Sequence, residues 1–233
     1  MSNEIRDKIE ILLNKINEFS IEDTCRFSNE INDSFHKLTC WIHYLDRNFK
    51  TGVADELLKA IASCMRECAA YISLGLVKPI IFNCRTIIDL SLAWIYFKDH
   101  KIEWKYLNDN GDGYKLKKEL LDYIQKINPS YNRRIGVLNS IACRDVNDVY
   151  RLLSAHIHAQ STHVLPVIRN LDEIVSNEGV CKEVIRLAYE TSEYVTDIFM
   201  AIYASEWHSL PDNIKKPMLA RFKSEKQKEE FFK

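Results

Sequence analysis

The amino-acid sequence predicts an all-α protein, and three observations lead to that prediction. Apolar residues recur every three or four positions in successive segments, with charged residues between them, as on amphipathic helices. The 233 residues include only six glycines and five prolines, whereas an all-β fold needs many more turn residues. No segment shows the alternation of apolar and polar residues that a strand would require. The sequence therefore predicts a single helical-bundle domain.

The predicted helices follow one another along the chain, separated by turn and breaker residues. Thr51-Gly52 interrupts the N-terminal pattern, and Gly75 occupies a position where glycine commonly ends a helix. Pro79 opens the next helix, because proline is well tolerated in the first turn. Two N-terminal helices are thus expected in 1–50, a core in 54–206, and a C-terminal helix with a charged tail in 210–233. The predicted helical segments are 3–18, 22–49, 54–74, 79–98, 101–108, 114–127, 130–141, 150–158, 166–175 and 180–206, with a last helix after 210–212 and the charged tail at 223–233.

The segment 79–98 has apolar residues on nearly every side, so we expect it to be the central and most buried helix. It is also long enough to raise the question of a membrane span. Arg85 and Asp89 lie in its middle, where each charge would be costly in lipid. Because the other segments are amphipathic, the sequence predicts no transmembrane span.

Composition excludes some classes of function and favours others. Hydrophobic residues make up 46% of the chain and charged residues 28%, as in ordinary globular proteins. The net charge of −1 argues against a broad nucleic-acid-binding surface, so any such contact must be local, transient or built by assembly. The seven cysteines are odd in number and no secretory signal opens the chain, which predicts reduced thiols in the cytoplasm. Cys64 and Cys68 lack a second pair at zinc-finger spacing and are interpreted as small core residues.

The segment 150–158 carries the most chemistry in the sequence. At about 100° per residue, Arg151, Ser154 and His158 share one helix face. That face combines a permanent cation, a hydroxyl and a group that titrates near neutral pH. Such a set can hold a phosphate and move a proton without a metal, with Tyr150 in support. Asp145 or Asn147 is the expected N-cap of this helix.

A second histidine in this segment points elsewhere. His156 lies about 160° from His158 around the helix, so the two cannot face one pocket while the helix is regular. The alternative to a catalytic face is a packing helix, with a core tyrosine and solvated polar residues. The spacing alone does not decide between these two interpretations.

Arg85 and Asp89 form a second pair, four residues apart on one helix face. They can act as a structural lock between helices, because a buried ion pair is only a weak stabiliser. Alternatively, Arg85 faces a pocket and Asp89 holds it in position. Both interpretations are open from the sequence.

Other familiar sites are missing from the sequence. It contains no His-Glu-x-x-His zinc motif, no Glu-x-x-His di-iron pair, no P-loop and no Gly-x-Ser-x-Gly elbow. Gly111-Asp-Gly113 lacks the third glycine and the preceding strand of a dinucleotide fingerprint. We therefore predict no metal and no cofactor.

Taken in order, these motifs resemble those of a bacterial all-helical family. Its members carry an Arg-x-x-x-acid helix, here Arg85 and Asp89, followed by a Tyr-x-x-x-Ser-x-x-aliphatic-His helix, here Tyr150, Ser154 and His158. That family is in turn similar to the HEPN superfamily, whose signature is an arginine and a histidine separated by four to six residues. Arg151 fits with His158 at six and with His156 at four, so both histidines are catalytic candidates, and the helical spacing and the Ser-x-x-aliphatic-His pattern favour His158. The resemblance covers roughly residues 55–160.

The resemblance implies a HEPN-like helical bundle with N- and C-terminal extensions. Many HEPN members are metal-independent ribonucleases of toxin–antitoxin and phage-defence systems, and they act as dimers that join two copies of the motif. Here it implies RNA as the substrate, a homodimer, and an antitoxin or defence-system protein as a further partner, with no membrane. Arg151 would hold the phosphate and His158 would transfer the proton. Arg85 and Asp89 would position these residues without contacting the substrate. Active members often have a polar residue after the arginine, where this chain has Leu152.

Two further hypotheses arise from the same residues. In one, a non-catalytic HEPN-like bundle binds a partner protein or a nucleotide. In the other, the motif only packs, with Arg85, Asp89 and His158 in one buried polar network.

Overall fold

The computed structural model describes residues 2–160 and 167–233, and within these ranges all regular structure is helical. The all-α prediction is confirmed. Two 3₁₀ helices, Leu171–Ile174 and Ala204–Ser209, flank the longest C-terminal helix. The α-helices are α1 (Ser2–Asn48), α2 (Glu56–Ser73), α3 (Val77–Phe97), α4 (Lys101–Asn110), α5 (Lys117–Ile127), α6 (Tyr131–Ser140), α7 (Val149–Ile157), α8 (Glu178–Tyr203), α9 (Asp212–Leu219) and α10 (Glu225–Phe232).

Three predicted segments differ from the observed helices by more than a few residues, and α3 begins at Val77, two residues before Pro79, the residue predicted to open it. The segments 3–18 and 22–49 are one continuous helix, α1, of 47 residues. The single C-terminal helix is instead two, and the charged tail forms α10, anchored by a fully buried Phe231. The short helix expected at 166–175 begins outside the described residues, and the described part of this segment contains only the 3₁₀ turn Leu171–Ile174.

The prediction that residues 79–98 form the most buried helix is wrong. Half of the most apolar stretch of α3 is buried, and Phe82 is 40% exposed. In α8, by contrast, nearly every residue from Leu187 to Tyr203 is buried. Hydropathy misranked the two helices because α8 carries carboxylates and hydroxyls that are themselves buried.

Among the described helices, α3 alone is long and apolar enough to cross a membrane by length and composition. A core helix passes the same test, and half of this window is buried inside the protein. Arg85 also makes polar contacts with other residues of the chain. Helix α3 therefore packs within the protein, although it is not the most buried helix.

The chain divides into two compact units. The first contains Met1–Phe35, Ser63–Thr86 and Asp148–Thr191, and the second contains His36–Ala62, Ile87–Asn147 and Ser192–Lys233. Each unit is built from three separate stretches of sequence. The single-domain division at 1–50, 54–206 and 210–233 stays a prediction.

All seven cysteines are free thiols. Cys64 and Cys68 are buried in the first unit, as expected of small core residues, and Cys84 of α3 is buried with them. Burial is the main cause that raises the pKa of the Cys64 thiol above its ordinary value. These three side chains therefore behave as apolar packing groups.

In the first unit, the end of α2 is a close-packed turn. Gly75 has a φ of +71°, and the Leu76 N–H donates to the Tyr71 carbonyl at 2.9 Å, which closes a Schellman turn. A Cβ added to Gly75 would lie 2.8 Å from Val175 Cγ1 and 3.3 Å from the ring of Phe19. Glycine is thus required by the backbone angle and by the lack of space, and its predicted helix-ending role is confirmed.

We expect Gly75→Ala to destabilise the protein much more than Gly111→Ala. Gly111 has a similar φ of +65° with nothing within 4 Å of an added Cβ, so its alanine variant incurs only the left-handed strain, about 1 kcal/mol. Gly75→Ala adds a steric clash of about 1–3 kcal/mol. Urea unfolding measures both variants, and equal losses would contradict the close packing at Gly75.

The second unit is organised around two buried carboxylates of α8. Glu193 and Asp197 are 1% and 2% exposed, one helical turn apart. Arg221 Nη1 lies 2.6 Å from Asp197 Oδ1, and Arg144 Nε lies 3.5 Å from Asp197 Oδ2. Lys37 Nζ lies 2.7 Å from Glu193 Oε1. Cations from α1, from the loop before α7 and from the α9–α10 connection therefore converge on α8.

Loss of one partner from this cluster should be costly. Arg221→Met leaves Asp197 buried beside a weaker partner, and we expect a loss of about 3–5 kcal/mol in the free energy of unfolding. Lys216→Met is the matched control, because the Lys216–Asp212 pair is about three-quarters exposed and contributes less than about 1 kcal/mol. Urea unfolding distinguishes the two, and an Arg221→Met variant as stable as the control would refute the role of the cluster.

Candidate functional site

The candidate site is in the first unit, where α3 meets α7. Arg85 Nε of α3 donates to Ser154 Oγ of α7 at 3.0 Å, and Arg85 Nη2 donates to the Tyr150 hydroxyl. The Arg85 guanidinium carbon also lies 3.5 Å from the centre of the Tyr150 ring. The structure therefore brings the two sequence motifs together through direct contacts from one arginine to two residues of the other motif.

Burial shapes the electrostatics of this contact. Partial burial lowers the pKa of the Arg85 guanidinium below its ordinary value, and the Tyr150 hydroxyl acts in the opposite direction. Arginine still keeps its charge, so Arg85 is a fixed donor between the two helices. Its two hydrogen bonds use the fork geometry of the guanidinium, which a lysine lacks.

Helix α7 has a defined start that differs from the prediction. Asp148 is the N-cap, and its Oδ1 accepts from the Arg151 backbone N–H at 3.1 Å. The expected caps, Asp145 and Asn147, precede Asp148 in the sequence, and neither is the N-cap. All three residues are of types that suit a cap, and the observed helix begins at buried Val149, directly after Asp148.

The C-terminal end of α7 falls just before the preferred histidine. His158 is the C-cap, and its N–H still donates to the Ser154 carbonyl at 2.9 Å, so its position continues the helical course. Ala159 comes next with a φ of +48°, and the Gln160 N–H donates to the Ala155 carbonyl at 3.1 Å. This is a Schellman turn with alanine in the left-handed position that glycine usually takes.

Arg151 and His158 are both exposed to solvent. Within the described part of the chain, no hydrogen bond or ion pair involves either side chain. Ser154 beside them is half-buried, because its hydroxyl accepts from Arg85. The predicted face therefore has an exposed edge with a cation and an imidazole, and an inner edge bound to α3.

His156 is on another side of α7, as the helical spacing predicted. It lines a mainly apolar groove of about 420 Å³ together with Leu152, Val77, Ile81 and residues of the first turns of α8. Arg186 stands at the same groove and is paired with Glu183 at 3.1 Å. Leu152, which departs from the polar residue of active HEPN members, is thus part of an apolar wall.

Asp89 lies one turn beyond Arg85 on α3 and is half-buried. It belongs to the second unit, whereas Arg85 belongs to the first. Its predicted role as the residue that holds Arg85 stays a prediction. What the structure adds is that Ser154 and Tyr150 themselves hold Arg85.

The described residues contain no group of three His, Cys, Asp or Glu side chains placed to hold a metal ion. Comparison of the chain with models of known families, with curated proteins and with solved structures gives no match. The HEPN resemblance thus rests on motif order and spacing in the sequence.

Sequence reasoning missed the buried cluster of Glu193, Asp197 and Arg221. One signal was present, since two carboxylates one turn apart interrupt the otherwise apolar face of α8. The pairing cations come from distant parts of the chain and gave no local signal.

In chemical terms, the exposed edge of α7 can attract and position a phosphate group. Arg151 offers a planar pair of donors to phosphate oxygens, and His158 can accept or donate a proton. Arg85 and Tyr150 fix the orientation of the helix that presents them. No residue of this edge requires a cofactor for either step.

Tyr150→Phe should weaken the junction of α3 and α7. It removes the hydroxyl that accepts from Arg85, and we expect a loss of about 1–2 kcal/mol in unfolding free energy. Tyr114→Phe is the control, because Tyr114 is 70% exposed. Thermal and urea unfolding report the difference, and an unchanged Tyr150→Phe would mean that the Arg85 contact contributes nothing to stability.

Proposed function

We propose that this protein is a HEPN-like, metal-independent endoribonuclease that acts in the cytoplasm as a toxin or phage-defence effector. One observation carries the proposal. Arg85 holds Tyr150 and Ser154 of α7, while the side chains of Arg151 and His158 stay exposed and make no hydrogen bond or ion pair within the described chain. A phosphodiester site needs a rigidly held helix whose cation and imidazole remain available to the substrate.

In the proposed reaction, Arg151 binds the non-bridging oxygens of the scissile phosphate. A base takes the proton of the RNA 2′-hydroxyl, which attacks phosphorus, and an acid protonates the 5′ oxygen as it leaves. Imidazole can serve in either role. Ser154, Tyr150 and Arg85 act as positioning residues, and Asp89 supports Arg85. His156 lines the groove and takes no part in this reaction.

The proposal includes a homodimer. Two copies of α7 would supply two histidines, one as base and one as acid, and would double the local positive charge. This doubling offsets the net charge of −1 of the single chain, which by itself gives little attraction for RNA. An antitoxin or another defence-system protein would restrain the activity.

A second candidate function is a non-catalytic bundle that binds a partner protein or a nucleotide. The groove lined by Leu152 and His156 favours it, because its walls are mainly apolar and its volume of about 420 Å³ is typical of binding pockets. In this alternative α7 positions the groove wall, and Arg151 and His158 are solvated surface residues.

Cleavage of total RNA by the purified protein tests the first function. We expect Arg151→Ala and His158→Ala each to lower the cleavage rate by about 100-fold or more, because each removes a group used in the transition state. Activity should persist in EDTA. Arg66→Ala and His208→Ala are the matched controls, since both residues are exposed and neither belongs to α7, and both variants should cleave as the unmodified protein does.

Equal cleavage by all five proteins would refute the catalytic roles proposed for Arg151 and His158. Loss of activity in EDTA would contradict metal independence. Intact RNA with the unmodified protein, together with a partner that co-purifies, would favour the non-catalytic alternative.

A further inference from the structure

The second unit contains a pocket of mixed polar and apolar lining, which includes no residue of α7. It has a volume of about 400 Å³ and lies between the last turns of α1 and the segment that leads into α9. Most of its lining side chains carry hydrogen-bonding groups, among them His43, Arg47, Asn48, Ser209 and Asn213. We propose that this pocket binds a small phosphate monoester, such as a sugar phosphate or a mononucleotide.

The charge of the pocket selects an anion. His43 and Arg47 are one turn apart on the exposed face of α1, and neither side chain bonds to another described residue. No carboxylate lines the pocket within the part of the chain that the structure describes. The nearest acids in the sequence, Asp46 and Asp212, are paired with Lys50 and Lys216, each at 3.1 Å. The guanidinium of Arg47 is therefore available for the paired donor contacts that phosphate oxygens accept.

Hydrogen bonds link α1 to the segment before α9 at this pocket. The Tyr44 hydroxyl and Ser209 Oγ are 2.8 Å apart, and Ser209 Oγ donates to the Glu206 carbonyl at 2.9 Å. Asn48 Nδ2 donates to the Tyr44 carbonyl at 2.8 Å. These bonds fix the pocket before any ligand arrives, which lowers the entropic cost of binding.

Size indicates an ester instead of the free ion. A pocket of about 400 Å³ is several times larger than inorganic phosphate and falls in the usual range for small-molecule sites. Cys40 and the Tyr44 ring on α1, together with the ring of Pro211 across the pocket, supply less polar lining for the esterified group. The phosphate would lie near Arg47 and His43, and the remainder of the ligand along that lining.

Isothermal titration calorimetry of the full chain at constant ionic strength tests the site. The probes are AMP, ribose 5-phosphate, inorganic phosphate and adenosine. We expect AMP and ribose 5-phosphate to bind, and Arg47→Gln to weaken both by about tenfold or more. His43→Gln is a second variant at the same pocket and should also weaken them. Arg66→Gln, a change at an exposed arginine outside the pocket, should leave binding unchanged.

Each other result would overturn part of the inference. Equal binding of AMP by the Arg47→Gln variant and the unmodified protein would place the ligand elsewhere. Adenosine binding as tightly as AMP would exclude phosphate recognition, and inorganic phosphate binding as tightly as the esters would exclude the ester. If no probe gives a heat of binding at millimolar concentration, the proposed site is refuted. None of these results depends on whether the protein cleaves RNA.

Discussion

Burial of charge is the constraint on which much of this structure depends. Glu193 and Asp197 lie in the most buried helix, where an unpaired carboxylate would cost several kcal/mol. Their burial requires Arg221, Arg144 and Lys37 to reach the same place from three other parts of the second unit. The requirement explains why the chain after α8 folds back as α9 and α10 although its composition is that of a charged tail. The fully buried Phe231 of α10 also anchors this part of the chain.

In the first unit, a partly buried arginine joins α3 to α7. Arg85 Nε donates to the Ser154 hydroxyl, and Arg85 Nη2 donates to the Tyr150 hydroxyl. Helix α7 has only nine residues, which is too short to be stable by itself in water. It is held by buried Val149 and Leu153, by the Asp148 cap and by Arg85. Arg151 and His158 lie at the exposed edge of the face that also carries Ser154, which binds Arg85 at the inner edge. Stability and the proposed chemistry thus use opposite edges of one face of this short helix.

The two histidines of α7 lie in different surroundings, and each is linked to one of the two functions considered for this helix. His158 is exposed beyond the last turn, whereas His156 faces an apolar groove shared with α8. Leu152 accompanies His156, so the residue that departs from active HEPN members serves the groove and not the exposed edge. The proposed ribonuclease uses the exposed edge, and the non-catalytic alternative uses the groove. The anion pocket at Arg47 belongs to the other unit and to neither of them.

The sequence by itself determined the helical class, the turn at Gly75 and the order of faces around α7. These are local properties, because periodicity, backbone angle and helical spacing depend on residues within a turn or two of each other. Only the tertiary structure decided that α8 is more buried than α3 and that Ser154 and Tyr150 bind Arg85. Those outcomes depend on contacts between residues far apart in the chain, 69 positions in the case of Arg85 and Ser154. A buried charge is stable only beside its partner, and the partner is chosen by packing, for which a single sequence carries no periodic signal.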